Sequence, residues 1–268
     1  MLRVKIAILC IIDPLLFINI KDKPLFLFLD LPLLIIALGG LLAGFVNSAF
    51  ATGGIYIQLA ASLLVFSPTT AIALQAPLSF ASLISRIFLF WLDLQWLLIK
   101  NFFQGCCIGV VIGALVFSHL SDELLLILLG ISILFIIWLP SSAILTPKAN
   151  HFTFIGITHS ILGTVFGVGG VLQPFIFRTS LFKGQITGTL AAALLSLDIL
   201  KIFSYYSLGF NYFDYWPHIL TTSAAGTFGS LLGKRFSLRI SESLFRKVFK
   251  YIVTIFSLQL IIGGVLQF

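Results

Sequence analysis

The chain has 268 residues, 59% of them hydrophobic and only 9% charged, with a formal net charge of +7 and a mean hydropathy of +1.14. Soluble domains carry about 25% charged residues, so this composition excludes a soluble globular enzyme and a free nucleic-acid-binding domain. It leaves a polytopic membrane protein, and the fold class expected is an all-α transmembrane helical bundle. Its apolar runs reach about 20 residues, the length a helix needs to cross a bilayer, and they lack the short alternating pattern of a membrane β-barrel.

The first run, 4–20, comes after Arg3 and Lys5 and is interrupted at Asp13-Pro14. It has the basic start of a signal peptide but no small-residue cleavage site, so 1–24 is expected to be an uncleaved N-terminal membrane segment, additional to the rest of the bundle. Apolar runs then fall at about 25–51, 54–66, 70–92, 97–117 and 123–142, the range 25–142 forming a first repeat. A polar linker at 143–151 precedes a second repeat at 152–268, with apolar runs at about 152–166, 170–182, 186–209, 214–233 and 249–267. No soluble loop is long enough to carry a catalytic domain. The basic residues cluster in short loops, which reads as a topology signal and not as a nucleic-acid surface.

The two series correspond. A shift of 116 places Gly53-Gly54 on Gly169-Gly170, Phe50 on Phe166, Leu74 on Leu190 and Gly113 on Gly229. A shift of 115 places Arg86-Ile87-Phe88 on Lys201-Ile202-Phe203. Internal duplication is a common build of secondary transporters. Equivalent loops differ in charge: GKRFSLRISESLFRKVFK holds six basic residues where the first half has SHLSDE, and RTSLFKG answers to FSPTT. Basic loops face the cytoplasm, so the repeats are expected to be inverted, with 178–184 and 234–248 cytoplasmic. The parity then requires 152–182 to enter and return on one side, with the glycine run as the bend of a re-entrant or broken helix.

Three groups of residues are candidates for chemistry. Ala51-Thr52-Gly53-Gly54 and Gly167-Val168-Gly169-Gly170 break apolar segments, although each glycine inside a helix costs roughly 1 kcal/mol. Such a break is tolerated at membrane depth where it is buried or lines a cavity, and free N–H groups at a helix start favour an anion. Close helix packing is the competing reading. Gln58 and Gln173, with Asn47 and Thr52 before the first break, are amides and hydroxyls in apolar surroundings that can bind an oxyanion or bridge helices. Arg86 and Lys201 are intramembrane cations, each costing at least about 2.5 kcal/mol to insert. A pair of them facing one cavity attracts an anion, whereas Arg86 could instead snorkel and Lys201 could pair with Asp198 three residues before it.

Among the histidines only His159 lies inside a segment; it can pack a helix or, with Asp198, move protons. Gly40-x3-Gly44, Gly105-x3-Gly109-x3-Gly113 and Gly229-x3-Gly233 have the spacing of close helix contacts. Cys10, Cys106 and Cys107 form neither a disulfide framework nor a metal set. No metal, cofactor or catalytic dyad is expected.

These features together, with Gly229-Ser-Leu-Leu-Gly233-Lys-Arg followed by Ser241-Glu242-x-x-Phe245-Arg246, resemble the TauE/SafE family of sulfite exporter-like permeases over about residues 30–268. The usual Gly-x-Gly-Gly-Gly run of that family is reduced here in both halves, and Gln58 stands near where it commonly has proline. The resemblance implies a bacterial inner-membrane permease for sulfite, sulfonates or related small organic anions, coupled to protons and working by alternating access. Its partners would be a small anionic solute and the lipid bilayer, with no nucleic acid; the sequence sets no oligomeric state. The site residues expected are Gly53, Gly54, Gln58, Arg86, Gly169, Gly170, Gln173 and Lys201, with Asp198 and His159 for proton coupling. A passive anion channel and a non-transporting membrane assembly subunit are the alternatives.

Overall fold

The computed structural model describes residues 31–138, 147–236 and 242–267. The N-terminal segment expected at 1–24 lies outside these residues, as do parts of the 143–151 linker and of the 234–248 loop. All regular elements among the described residues are helical. The first half contains α1 (Leu31–Phe50), α2 (Gly54–Val65), α3 (Pro68–Leu89), a 3-10 turn (Trp91–Asp93), α4 (Trp96–Phe117) and α5 (Asp122–Trp138). The second contains α6 (His151–Phe166), α7 (Leu172–Ile176), α8 (Lys183–Ser207), a 3-10 turn (Tyr212–Tyr215), α9 (Trp216–Phe236) and α10 (Glu242–Val265). The same order of long, short and long helices therefore occurs twice. Helices α1, α3, α4 and α8 are long and apolar enough to cross a membrane.

The breaks have a backbone cause. Gly167 ends α6 in the left-handed region at φ 74°, where glycine has no steric penalty. The position 116 residues earlier is Ala51, which takes φ 62° and is the non-glycine residue with positive φ among those described. The first half thus keeps the conformation without the glycine. At α3, Pro68 supplies a preset first-turn φ and Ser67 accepts from the Thr70 amide at 3.4 Å.

Two apolar runs form short helices, and one of them covers only part of its run. Of 170–182, only Leu172–Ile176 is helical. Gly167, Gly169 and Gly170 spoil the helix before it, and the Thr179–Ser180 stretch comes after it. The 12 residues of α2 rise about 18 Å at 1.5 Å each, short of a bilayer's hydrocarbon core of about 30 Å. Both are partial-depth helices held against longer ones, α2 on α3 and α7 on α8.

Packing across the halves has a matching pattern. Helix α4 lies along α6, and a Cβ built on Gly105, Gly109 or Gly113 would run into the α6 backbone at Thr153, Ile157 and Ile161. Helix α9 meets α1 the same way: Gly229 and Gly233 abut the Leu41 and Phe45 carbonyls, and Gly44 abuts Gly226. These contacts account for the four-residue spacing of the glycines. Between the two seams α3 packs on α8, and α5 packs on α10. Phe88, Phe154 and Phe203 remain exposed on outer faces, as expected of residues solvated by lipid tails.

Contacts among loops and the helix turns beside them define two ends. At one, the Thr69 amide donates to the Asp122 carboxylate at 3.0 Å, and the Thr69 hydroxyl donates to the same oxygen. Phe66 meets Tyr215 edge-on at 5.5 Å. At the other, the Lys234 ammonium donates to the Leu89 carbonyl at 3.0 Å, the Gln95 amide donates to the Thr189 hydroxyl at 3.1 Å, and Asn101 donates to the Ala149 carbonyl at 2.9 Å.

Candidate functional site

Burying an ionised group without compensation costs several kcal/mol, so the places where a membrane bundle does so are informative. Among the described residues, the buried Asp, Glu, Lys, Arg and His side chains are Arg86, His159, Asp198 and Lys201. All four line one cavity of about 40 Å3. Its walls come from both halves: Asn47 and Ala51 at the end of α1, Arg86 on α3, His159 and Gly163 on α6, Gly167 and Gly169 in the second break, Gln173 on α7, and Asp198 and Lys201 on α8. The 116-residue shift pairs Asn47 with Gly163 and Ala51 with Gly167, and all four line this space.

Arg86 occupies the last turn of α3 but is only 2% exposed. It turns inward and does not snorkel, and its Nε–H makes a long bond of 3.4 Å to the Ser82 carbonyl. Lys201 is also 2% exposed, and no hydrogen bond joins its ammonium to another described residue. Asp198 interacts electrostatically with both cations, and its Oδ2 accepts from the Ser79 hydroxyl of α3 at 2.5 Å. That bond ties the long helix of one half to the long helix of the other.

His159 has a definite local task. Its Nδ1 accepts the Leu172 amide at 3.0 Å, which satisfies an N–H at the start of α7. Accepting at Nδ1 leaves the ring proton on Nε2 in the neutral imidazole. Gly169 makes this possible, because a Cβ there would overlap the imidazole, and Phe102 meets the ring edge-on at 5.5 Å. Asn47 does the equivalent work in the first half, its Oδ1 accepting the Gly54 amide at 2.9 Å. At both breaks, a side chain from the preceding helix takes up a backbone donor that could otherwise have faced an anion.

Of the site residues expected from the sequence, the cavity gathers Arg86, Gly169, Gln173, Lys201, Asp198 and His159, together with Asn47 and Gly167 from the two breaks. Gly53, Gly54, Gly170 and Gln58 lie outside its lining. Gly53 faces Val46 and Phe249, Gly170 faces Ile136, and the buried Gln58 lies against Gly39 with its amide nitrogen unpartnered. One contributor escaped sequence reading: Ser79 was one hydroxyl among many in α3, and its partner is 119 residues away. Ala51 was named only as part of the first break, with no glycine to mark its left-handed backbone.

Chemically, the cavity offers two cations, one carboxylate, a neutral imidazole and two amides in a largely buried space. Such a site can bind and pass a small anion. Among the described residues no group of three His, Cys, Asp or Glu side chains is placed to hold a metal ion. Comparison with known proteins adds one match: the family model described as sulfite exporter TauE/SafE covers residues 36–260. No curated protein and no solved structure matches the chain.

Proposed function

The chain belongs to the sulfite exporter TauE/SafE family, and from that membership and the cavity we propose that it is a secondary transporter whose solute is sulfite or an oxyanion of similar size. The family is one of membrane transporters, and its helices make this chain a multi-pass integral membrane protein. The observation that carries the proposal is the gathering of every buried charge among the described residues into one cavity with an excess of cations. A void of about 40 Å3 holds only a few water-sized groups. That favours a compact inorganic anion over a bulky aromatic sulfonate.

Alternating access by two inverted halves fits the loop contacts. The first end contains 66–70, 117–123 and 208–218; among described residues these carry Asp122, Glu123 and Asp214 and no Lys or Arg. The second end contains 89–101, 147–149, 177–184 and 234–236, with Lys100, Lys148, Arg178, Lys183, Lys234 and Arg235 against the single acid Asp93. In this reading loops related by the repeat lie at opposite ends, and the basic end would face the cytoplasm of a bacterial inner membrane. Rocking one half against the other would expose the cavity to each side in turn. In the proton-coupled form of this mechanism, Asp198 is the better proton carrier, because protonating His159 at Nδ1 would forfeit its bond to Leu172.

Counterflow in proteoliposomes tests the transport mode. Vesicles preloaded with unlabelled sulfite are expected to accumulate external 35S-sulfite transiently above equilibrium, faster with an imposed pH gradient. A passive channel gives no overshoot and ignores pH. A non-transporting assembly subunit gives no flux above protein-free vesicles.

A further inference from the structure

We propose that Asp198 is a built-in counter-anion that sets the valence of the solute: the cavity accepts an anion of one net negative charge and discriminates against the dianion of the same shape. This rests on the anion-site reading of the cavity and narrows it.

The charges inside the cavity are Arg86 and Lys201 against Asp198. His159 is neutral in the tautomer fixed by the Leu172 amide. Among the described residues, the other titratable groups within electrostatic reach of Asp198 are Cys106 on α4, Tyr205 on α8 and Tyr212 in the second 3-10 turn. Thiols and phenols are ordinarily uncharged at neutral pH. The sum is one positive charge carried by buried side chains.

A monoanion closes that balance. A dianion would leave a net negative charge buried, with the desolvation of a second charge unreturned. Without Asp198 the two cations would call for a dianion instead. The carboxylate is held in place to play this part. The Ser79 hydroxyl, from the opposite half, donates to its Oδ2 at 2.5 Å, so Asp198 stays beside the cations and does not swing away as the solute enters. For a sulfur oxyanion that titrates near neutrality, the rule selects the hydrogen form, or equivalently the dianion together with one proton on Asp198.

Methanesulfonate and sulfate make a suitable probe pair. They are close in shape, carry one and two charges, and neither changes charge between pH 5 and pH 9. Isothermal titration of the purified full chain in detergent at pH 7.5 is expected to show wild type binding methanesulfonate at least tenfold more tightly than sulfate. Asp198→Asn is expected to move the ratio at least tenfold toward sulfate, while Asp198→Glu keeps the wild-type preference. Wild type that binds sulfate as tightly as methanesulfonate overturns the proposal with no variant needed. So does an Asp198→Asn protein that still binds methanesulfonate but has an unchanged ratio. Wild type that binds neither probe, nor sulfite, removes the anion site itself, and the valence rule with it.

Discussion

Lys201→Ala is expected to lower 35S-sulfite flux in proteoliposomes at least tenfold at matched protein content, and Arg86→Ala should act in the same direction. The Lys201 ammonium is buried, points into the cavity and has no hydrogen-bond partner among the described residues. It is therefore available to a solute in a medium where an ion pair is much stronger than in water. Truncating one partner of a buried, hydrogen-bonded charge pair typically costs about 2–5 kcal/mol, and about 1.4 kcal/mol already corresponds to tenfold. A purely structural Lys201–Asp198 pair makes a different forecast. In that case Asp198→Asn combined with Lys201→Met would relieve the unpaired charge and restore flux. With an anion site, the double variant regains the net charge but lacks the Lys201 ammonium that contacts the solute, so flux stays well below wild type even when it folds.

The second large effect is on assembly. Gly109→Val on the α4–α6 seam and Gly229→Val on the α1–α9 seam are each expected to cost about 3 kcal/mol or more, the upper range for overpacking. A Cβ at Gly109 would overlap the Ile157 carbonyl and the Ser160 hydroxyl, and one at Gly229 would overlap the Leu41 carbonyl. The obstacle in each case includes main chain, so a rotamer change does not relieve it. In lipid no hydrophobic force draws helices together, and close backbone approach supplies much of their attraction. The readout is loss of the monodisperse species in detergent and a lowered unfolding temperature. Gly263→Ala is the control: nothing lies within 4 Å of a Cβ there, and the variant should behave as wild type.

Several parts of this arrangement were legible in the sequence, each for a physical reason. Composition alone forced helices, because an apolar chain in lipid must satisfy its backbone internally. The Gly-x3-Gly spacings marked faces that the structure presses together, since i and i+4 share one side of a helix. Arg86 and Lys201 stood out because charge is so rare in these segments, and both prove to be inward-facing.

What the sequence left open depends on long-range contacts or on backbone angles. Nothing local joins Ser79 to Asp198 across 119 residues. The glycine breaks suggested free amides for an anion, yet Asn47 and His159 already accept two of them, a relation visible only once each helix has turned back on itself. Gln58 and Gln173 looked like counterparts. The 115-residue shift that relates Arg86 to Lys201 relates them too, yet only Gln173 reaches the cavity.

The most direct test of the central claim, that this cavity holds the transported anion, is the position of a heavy sulfite analogue. Crystals of the protein grown with selenite, measured at the selenium edge, are expected to show an anomalous peak roughly 3–4 Å from Lys201 Nζ, one Se–O bond beyond an oxygen that accepts from the ammonium at about 2.8 Å, enclosed by Arg86, Asp198 and His159. Well-diffracting crystals with selenium only on the outer surface, and the cavity empty at saturating selenite, would contradict it.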